Sequence, residues 1–250
     1  MIMKLSRTYM TMQCIVEIVD EDADVKDIEA VFDYFKHIDE TFSYFKPTSE
    51  LTAINNGSLK LEDASDEMRE VFALCAKTKE ETDGFFDIKK SDGTFDTSGL
   101  VKGLAVHRGA QILKKCGYKN YCVEIAGDME VAGHNEDGSK WIIGIQNPFN
   151  LSEIIKRIAI TDKGIATSGV YQRGGHIYNP KNWSDKIENI VGLTVIGPNV
   201  YEADRFATAC YAMGEEGIYF LEYLDGFEGY LVGSNGVAMM TTGFAKYIIS

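Results

Sequence analysis

The chain has 250 residues, 45% apolar and 25% charged, enough to bury a substantial core in one large domain or two small ones. Its formal net charge is −13 with no long basic run, which argues against a nucleic-acid partner, because phosphate contacts need a positive footprint. The five cysteines, Cys14, Cys75, Cys116, Cys122 and Cys210, are scattered and lack a CxxC pair, which argues against a disulfide framework or a zinc site.

Residues 1–24 alternate and then turn acidic, without a leader-type apolar region, and no run reaches the roughly 20 apolar residues of a membrane span. A reducing cytoplasm is therefore the expected setting. Within this stretch residues 8–19 alternate as a strand does, and residues 24–45 read as an amphipathic helix carrying Val25, Ile28, Val31, Phe32, Phe35, Ile38 and Phe42 at helical spacing. Met68, Val71, Leu74 and Cys75 mark a second helix that stops before Gly84. A third runs from about Val101 to Cys116, with Gly117 as its C-terminal stop.

From residue 121 to 170 the pattern changes to short β-rich runs at 121–127, 141–146, 154–160 and 164–170, punctuated by Gly, Asn and Asp. Residues 192–197 form a further strand, 202–224 one long helix, and 229–233, 237–242 and 244–250 a closing meander. There is no internal repeat and no Pro- or Ser-rich linker. The predicted fold is α+β, a single domain over 1–250 with a mostly antiparallel sheet and helices mostly on one side. A doubly wound sheet is disfavoured because no strand–GxGxxG–helix unit occurs.

Four polar segments stand out. In the first, Asp96 to Gly103, Asp or Ser would cap a helix, Gly99 allows close backbone approach, and Lys102 could meet a phosphate near the positive helix end; a capped helix start without a ligand reads equally from it. In the second, Gly164 to Gly169, small hydroxyl residues stand between glycines, suiting either a flat ligand or tight strand packing. The third, Gly174 to Pro180, presents His176 after two glycines, as a proton acceptor for a hydroxyl nucleophile or as a structural histidine. In the fourth, Asp204 and Thr208 are four apart, so on a helix both oxygens point the same way. A carboxylate with a hydroxyl suits Mg²⁺, although a dipole-complementing Asp and a back-bonded Thr would give the same pattern.

Taken in order, these segments resemble the FAD:protein FMN transferases, the ApbE-like flavin transferase family. The resemblance begins at Met10-Thr11-Met12 and continues through Phe42 to Leu51 and Ile54-Asn55, then Gly84-Phe85-Phe86-Asp87 and Asp96 to Gly103. Ala126-Gly127-Asp128 looks like a variant of the family's GGD, and Ile165 to Gly169, His176 to Pro180, Ala203 to Thr208 and Thr241-Thr242-Gly243 follow in family order. It spans roughly residues 8–245 and implies an ApbE-like fold related to the T-fold.

The resemblance implies that Met10 or Met12, Tyr44 and Phe85-Phe86-Asp87 line the flavin and adenine sites. Asp96, Lys102, Thr167, Ser168 and Leu193 would also contact FAD. The Gly99 carbonyl, Asp204 and Thr208 would hold Mg²⁺, and His176 would sit near the diphosphate as the proton-transfer residue. The implied reaction attaches FMN from FAD to a Thr or Ser hydroxyl of a target protein and releases AMP. Two other outcomes stay open: an FAD-binding or FAD-delivery protein that transfers nothing, and a Mg²⁺-dependent FAD diphosphatase giving FMN and AMP.

The chain also departs from the family pattern. Residues 88–95 stand where the common form carries a much longer insertion, Ala126 replaces the first Gly of GGD, and Asn179 replaces an Asp. Lys181-Asn182-Trp183 takes the place of the usual Arg-Thr-Gly run, and His107 that of an Asp.

Overall fold

The computed structural model describes residues 2–169, 178–183 and 186–249. The alternation at residues 8–19 forms part of a hairpin rather than one strand. Strand β1 spans Met3–Tyr9 and β2 spans Met12–Ile18, antiparallel, with Tyr9 opposite Met12. Met10 and Thr11 form the two-residue loop with φ of 52° and 61°, the left-handed geometry of a type I′ turn. Neither is Gly, Asn or Asp, so the sequence carries no turn signal there.

Helix α1 (Val25–Phe42) is capped by Asp24, whose side chain accepts the Lys26 N–H. It ends at Phe42 rather than 45, because Ser43 takes an extended backbone. A short helix α2 (Glu50–Asn55) follows, capped by Ser49 and too short for its periodicity to register in the sequence. Then come α3 (Asp66–Glu81) and α4 (Ser98–Cys116), the latter starting three residues before the expected Val101. Gly117 ends α4 at φ 100°, its N–H bonding to the Leu113 and Lys114 carbonyls.

Six strands follow: β3 (Tyr121–Ile125), β4 (Asp128–Ala132), β5 (Trp141–Asn147), β6 (Asn150–Ile160), β7 (Lys163–Gly169) and β8 (Ile190–Gly197). The expected long helix over 202–224 is two helices, α5 (Val200–Ala212) and α6 (Glu216–Glu222), separated by Gly214 at φ 68°. The chain ends with β9 (Glu228–Gly233), β10 (Ala238–Met240) and β11 (Ile248–Ile249). The closing meander holds for β9 and β10 only, since β11 crosses to pair with β6.

Eight strands make one antiparallel sheet in the order β1-β2-β3-β4-β7-β8-β9-β10, and β11-β6-β5 make a second. Strand periodicity divides the core between the two faces of the large sheet. Val16 and Val123 face one way, beneath α1 and α4, and Leu193, Val195 and Leu231 pack likewise under α5 and α6. Cys122, Val131, Ile196, Tyr230 and Val232 face the other way, onto Trp141, Ile143 and Ile158 of the small sheet. The molecule is thus layered helix, sheet, sheet, an α+β arrangement with the long helices on one side. Phe32 and Phe35 of α1 are fully buried, each contributing about 1.5–3 kcal/mol of apolar burial.

The β3–β4 hairpin turns at Ala126-Gly127, with φ of 48° and 88°. Its tip lies beside the start of β2, where the Ala126 N–H donates to the Gln13 carbonyl at 3.0 Å. A Cβ is unfavourable in this conformation by about 1–2 kcal/mol, whereas a glycine costs roughly 0.5–1 kcal/mol in lost entropy. Ala126→Gly is therefore expected to stabilise the fold by about 0.5–1 kcal/mol in denaturant melts, and a loss of stability would show the turn is not strained.

Candidate functional site

The start of α4 is fixed by Asp96, whose Oδ1 accepts the Ser98 N–H at 3.0 Å, while Thr97 makes no side-chain cap bond. Asn199 caps α5 through the Glu202 N–H at 2.9 Å. A Cβ on Gly164 of β7 would fall 1.9 Å from the Val200 nitrogen, so the first turn of α5 lies directly on the strand. For Gly164, tight packing against another backbone explains the residue.

α4 and α5 meet in opposite directions through residues one turn apart on each. Gly103 faces Asp204: its N–H donates to Asp204 Oδ2 at 2.7 Å, and a Cβ there would lie 2.5 Å from the Asp204 Cβ. Gly99 faces Thr208: the Thr208 hydroxyl donates to the Gly99 carbonyl at 3.2 Å, and a Cβ would lie 3.0 Å from Thr208 Cγ2. The helix spacing of Asp204 and Thr208 thus matches that of Gly103 and Gly99. Arg205, the next residue after Asp204, is buried and tied to α3. It pairs with Glu81 and with Glu202 at 2.5 Å, and its Nη1 donates to Thr78 Oγ1 at 3.3 Å.

A pocket of about 420 Å³, counting the part open to solvent, lies beside this contact. Phe85, Phe86, Asp87, Asp96, Gly99 and Thr208 line it, all of them predicted site residues, together with Ile88, Ser98, Tyr178, Pro180 and Ala212. The last five were not predicted. Tyr178 and Pro180 belong to the segment singled out for His176, so that segment carried their signal, whereas Ile88 and Ala212 are indistinguishable in sequence from core residues. Tyr178 donates its hydroxyl to the Asp87 carbonyl at 2.8 Å. Burial, then the carboxylates of Asp96, Asp87 and Asp92, push that hydroxyl well above its ordinary pKa, so it stays a donor.

The other predicted residues lie outside the pocket lining. Lys102 is buried, its Nζ 2.5 Å from Asp128 Oδ2, rather than presented to a ligand phosphate at the helix end. The reason is physical: a helix turn past the first, a lysine on the sheet-facing side needs a counter-charge, and Asp128 supplies it. Asp128 Oδ1 accepts the Thr167 N–H at 3.1 Å, and Thr167 Oγ1 is 2.9 Å from Thr194 Oγ1. Ser168 pairs with Leu193 across β7 and β8; Ser168 is buried, and the Leu193 side chain is enclosed in the apolar layer beneath α5, with no surface for a ligand. Met10 and Met12 pack at the rim of the core. Tyr44 lies against residues 88–95, with Lys90 Nζ 3.3 Å from its hydroxyl and 4.5 Å from its ring centroid. Those residues form a tight hairpin closed by a Lys89–Phe95 bridge. His176 lies outside the described residues.

The donor set fits a hard cation better than a soft one. Among the described residues no three His, Cys, Asp or Glu side chains gather at one point, which leaves no thiolate or imidazole site. The α4–α5 contact instead offers one carboxylate, one hydroxyl and one carbonyl, a set that Mg²⁺ would complete with waters and phosphate oxygens. The described residues lining the pocket include Asp87 and Asp96 but no Lys, Arg or His; two lysines stand at its margin, Lys79 with its Nζ 2.6 Å from Asp87 Oδ2 and Lys181 with its Nζ 4.6 Å from the Phe85 ring centroid.

The ApbE family model matches residues 8–92 and 88–231. The FAD:protein FMN transferase of Escherichia coli (strain K12) is 26% identical over 167 residues, 62% of this chain and 48% of that protein. The Vibrio cholerae protein of the same name is 35% identical over 133 residues, 48% of this chain and 39% of that protein. The chain thus spans about half the length, or less, of the curated relatives it matches. The solved structure of the Thermotoga maritima ApbE protein superposes with a TM-score of 0.87 at 19% identity, covering 100% of both chains, which shows the fold.

The helix contact tests itself through its glycines. Gly103→Ala, which meets the Asp204 Cβ and the Val200 carbonyl, is expected to cost about 1–3 kcal/mol in a denaturant melt. Gly99→Ala should cost less, because its nearest neighbour is the end of one side chain; the reverse ranking would show the helices are not packed as described.

Proposed function

Because the chain belongs to the ApbE family, we propose that residues 1–250 form one flavin transferase domain that moves the FMN half of FAD onto a Thr or Ser hydroxyl of a target protein, with Mg²⁺ bound and AMP released. The observation that carries this reading is a pair of α4–α5 contacts one helix turn apart, Gly103 N–H to the buried Asp204 carboxylate and the Thr208 hydroxyl to the Gly99 carbonyl, the second of which opens on a pocket lined by Phe85, Phe86 and Asp87. The curated relatives that match are named for the same activity.

In this reading Gly99, Asp204 and Thr208 hold the cation, and Phe85, Phe86, Asp87 and Asp96 position the dinucleotide. When bound, the cation screens the diphosphate and offsets charge on the departing oxygen. The acceptor hydroxyl oxygen bonds to the FMN-side phosphorus, the bond from that phosphorus to the bridging oxygen breaks, and AMP leaves with that oxygen. His176 takes the hydroxyl proton. The chain's own contribution is chiefly alignment, since in-line phosphoryl transfer demands little more of the protein than position and charge.

A cytoplasmic setting belongs to the same proposal. It is supported by five free thiols, four of them buried, and burial pushes that of Cys14 up to about 11, which keeps it unreactive. Among the described residues no helix is long and apolar enough to cross a membrane.

Incubating the protein with FAD, Mg²⁺ and a flavin-acceptor domain distinguishes the outcomes. Covalent flavin on the acceptor supports transfer, free FMN would make it a diphosphatase, and unchanged FAD a binding protein. Asp204→Ala is expected to abolish metal-dependent turnover, and full activity in that variant would refute the metal assignment. His176→Ala should lower kcat by about 10²–10⁴-fold as a general base, whereas a fall of only a few-fold would leave it a positioning role.

A further inference from the structure

The segment after His176 departs from the family run, and its described part, residues 178–183, forms a definite structure. Asn179 and Pro180 open a turn in which the Asn182 N–H donates to the Asn179 carbonyl at 3.1 Å and the Lys181 N–H to Asn179 Oδ1 at 3.0 Å. The turn folds Trp183 back onto Tyr178, their rings stacked with centroids 4.3 Å apart and planes at 25°. The segment is clamped to the opposite side of the pocket at three points. Tyr178 bonds the Asp87 carbonyl, Lys181 Nζ lies 2.7 Å from Asp83 Oδ2, and the same ammonium sits 4.6 Å above the Phe85 ring. Tyr178 and Pro180 line the pocket, whereas Trp183 is outside the lining and 42% exposed.

An exposed tryptophan that fills no core cavity yet stacks on a pocket residue does little for folding. Phe85, Phe86, Tyr178 and Pro180 give the pocket flat apolar surfaces; both Asp87 oxygens are engaged, by Lys79 Nζ and the Lys89 N–H, whereas the Asp96 carboxylate, which takes the Ser98 N–H on Oδ1, can accept a further N–H. That combination suits a heteroaromatic ring bearing an N–H donor. We propose that the Tyr178–Trp183 stack is the wall against which one ring of the dinucleotide lies, Tyr178 touching the ring and Trp183 acting as a positioning residue that holds Tyr178. This rests on the reading that the pocket takes FAD. Both the adenine and the isoalloxazine carry the required chemistry, and ADP and FMN present them separately.

The test is calorimetric titration of FAD, ADP and FMN into the full chain with Mg²⁺, alongside steady-state kinetics, for the wild type and for Tyr178→Leu, Trp183→Leu and Trp183→Phe. Loss of an aromatic stack should weaken FAD binding about tenfold in both leucine variants, with most of the loss restored in Trp183→Phe. The same loss should appear with either ADP or FMN, which identifies the ring. In turnover, KM for FAD should rise more than kcat falls. An unchanged FAD affinity in Trp183→Leu, equal weakening by the phenylalanine variant, or a loss in FAD binding matched by neither ADP nor FMN would overturn the proposal. Binding that depends on Trp183 in a protein that transfers nothing would sink the transferase reading alone. Transfer with an affinity indifferent to Trp183 would sink only this one.

Discussion

The site depends on how closely two helices approach. Gly99 and Gly103 remove the side chains that would otherwise hold α4 away from α5, and the space is taken by Thr208 and Asp204. The result is a hydrogen bond from a backbone N–H to a carboxylate and another from a hydroxyl to a carbonyl, each joining the two helices. A methyl group at Gly103 would press on the Asp204 side chain, and one at Gly99 on that of Thr208, the two residues proposed to bind the cation. Packing and chemistry are therefore one constraint here, and the glycines serve it by lacking bulk rather than by backbone freedom.

Charge supports the same view. The protein is acidic overall, and the described pocket lining adds carboxylates without a basic side chain. The nearby lysine on α4 is committed to Asp128, away from solvent. Burying two charges is costly, and such a pair is weak grounds for stability. What it does is locate: it ties α4 to the β4 hairpin, while Asp128 also receives the Thr167 N–H of β7. The helix that carries Gly99 is thereby fixed to the sheet beneath it.

Much of this was legible in the sequence, and the rest was hidden for identifiable reasons. The glycine that stops α4 and the Asp96 carboxylate that takes the Ser98 N–H are local signals with local causes, and the four-residue spacing of Asp204 and Thr208 does turn both side chains toward α4. The Met10-Thr11 turn was invisible because both residues take a conformation that their types disfavour. The break in the 202–224 helix is marked in the sequence only by Gly214 and Gly217, and glycine is a residue that a continuous helix tolerates. Lys102 was read from its place near a helix start, but which side of the helix faces the sheet is a tertiary fact. Leu193 came from resemblance alone, and no single strand position announces which face of a sheet it will occupy.

Arg205 carries the final consequence. Its guanidinium follows Asp204 directly and is anchored on Thr78 and Glu81, the closing turns of α3, from which the chain runs on into Phe85 and Asp87. The azimuth of α5, and with it the aim of Asp204, is thus keyed to the same turn that launches the aromatic side of the pocket. Any breathing of the cleft has to carry both walls as one body or first unseat that arginine. Aperture and oxygen geometry are mechanically geared, and a disturbance at the end of α3 would be felt by both.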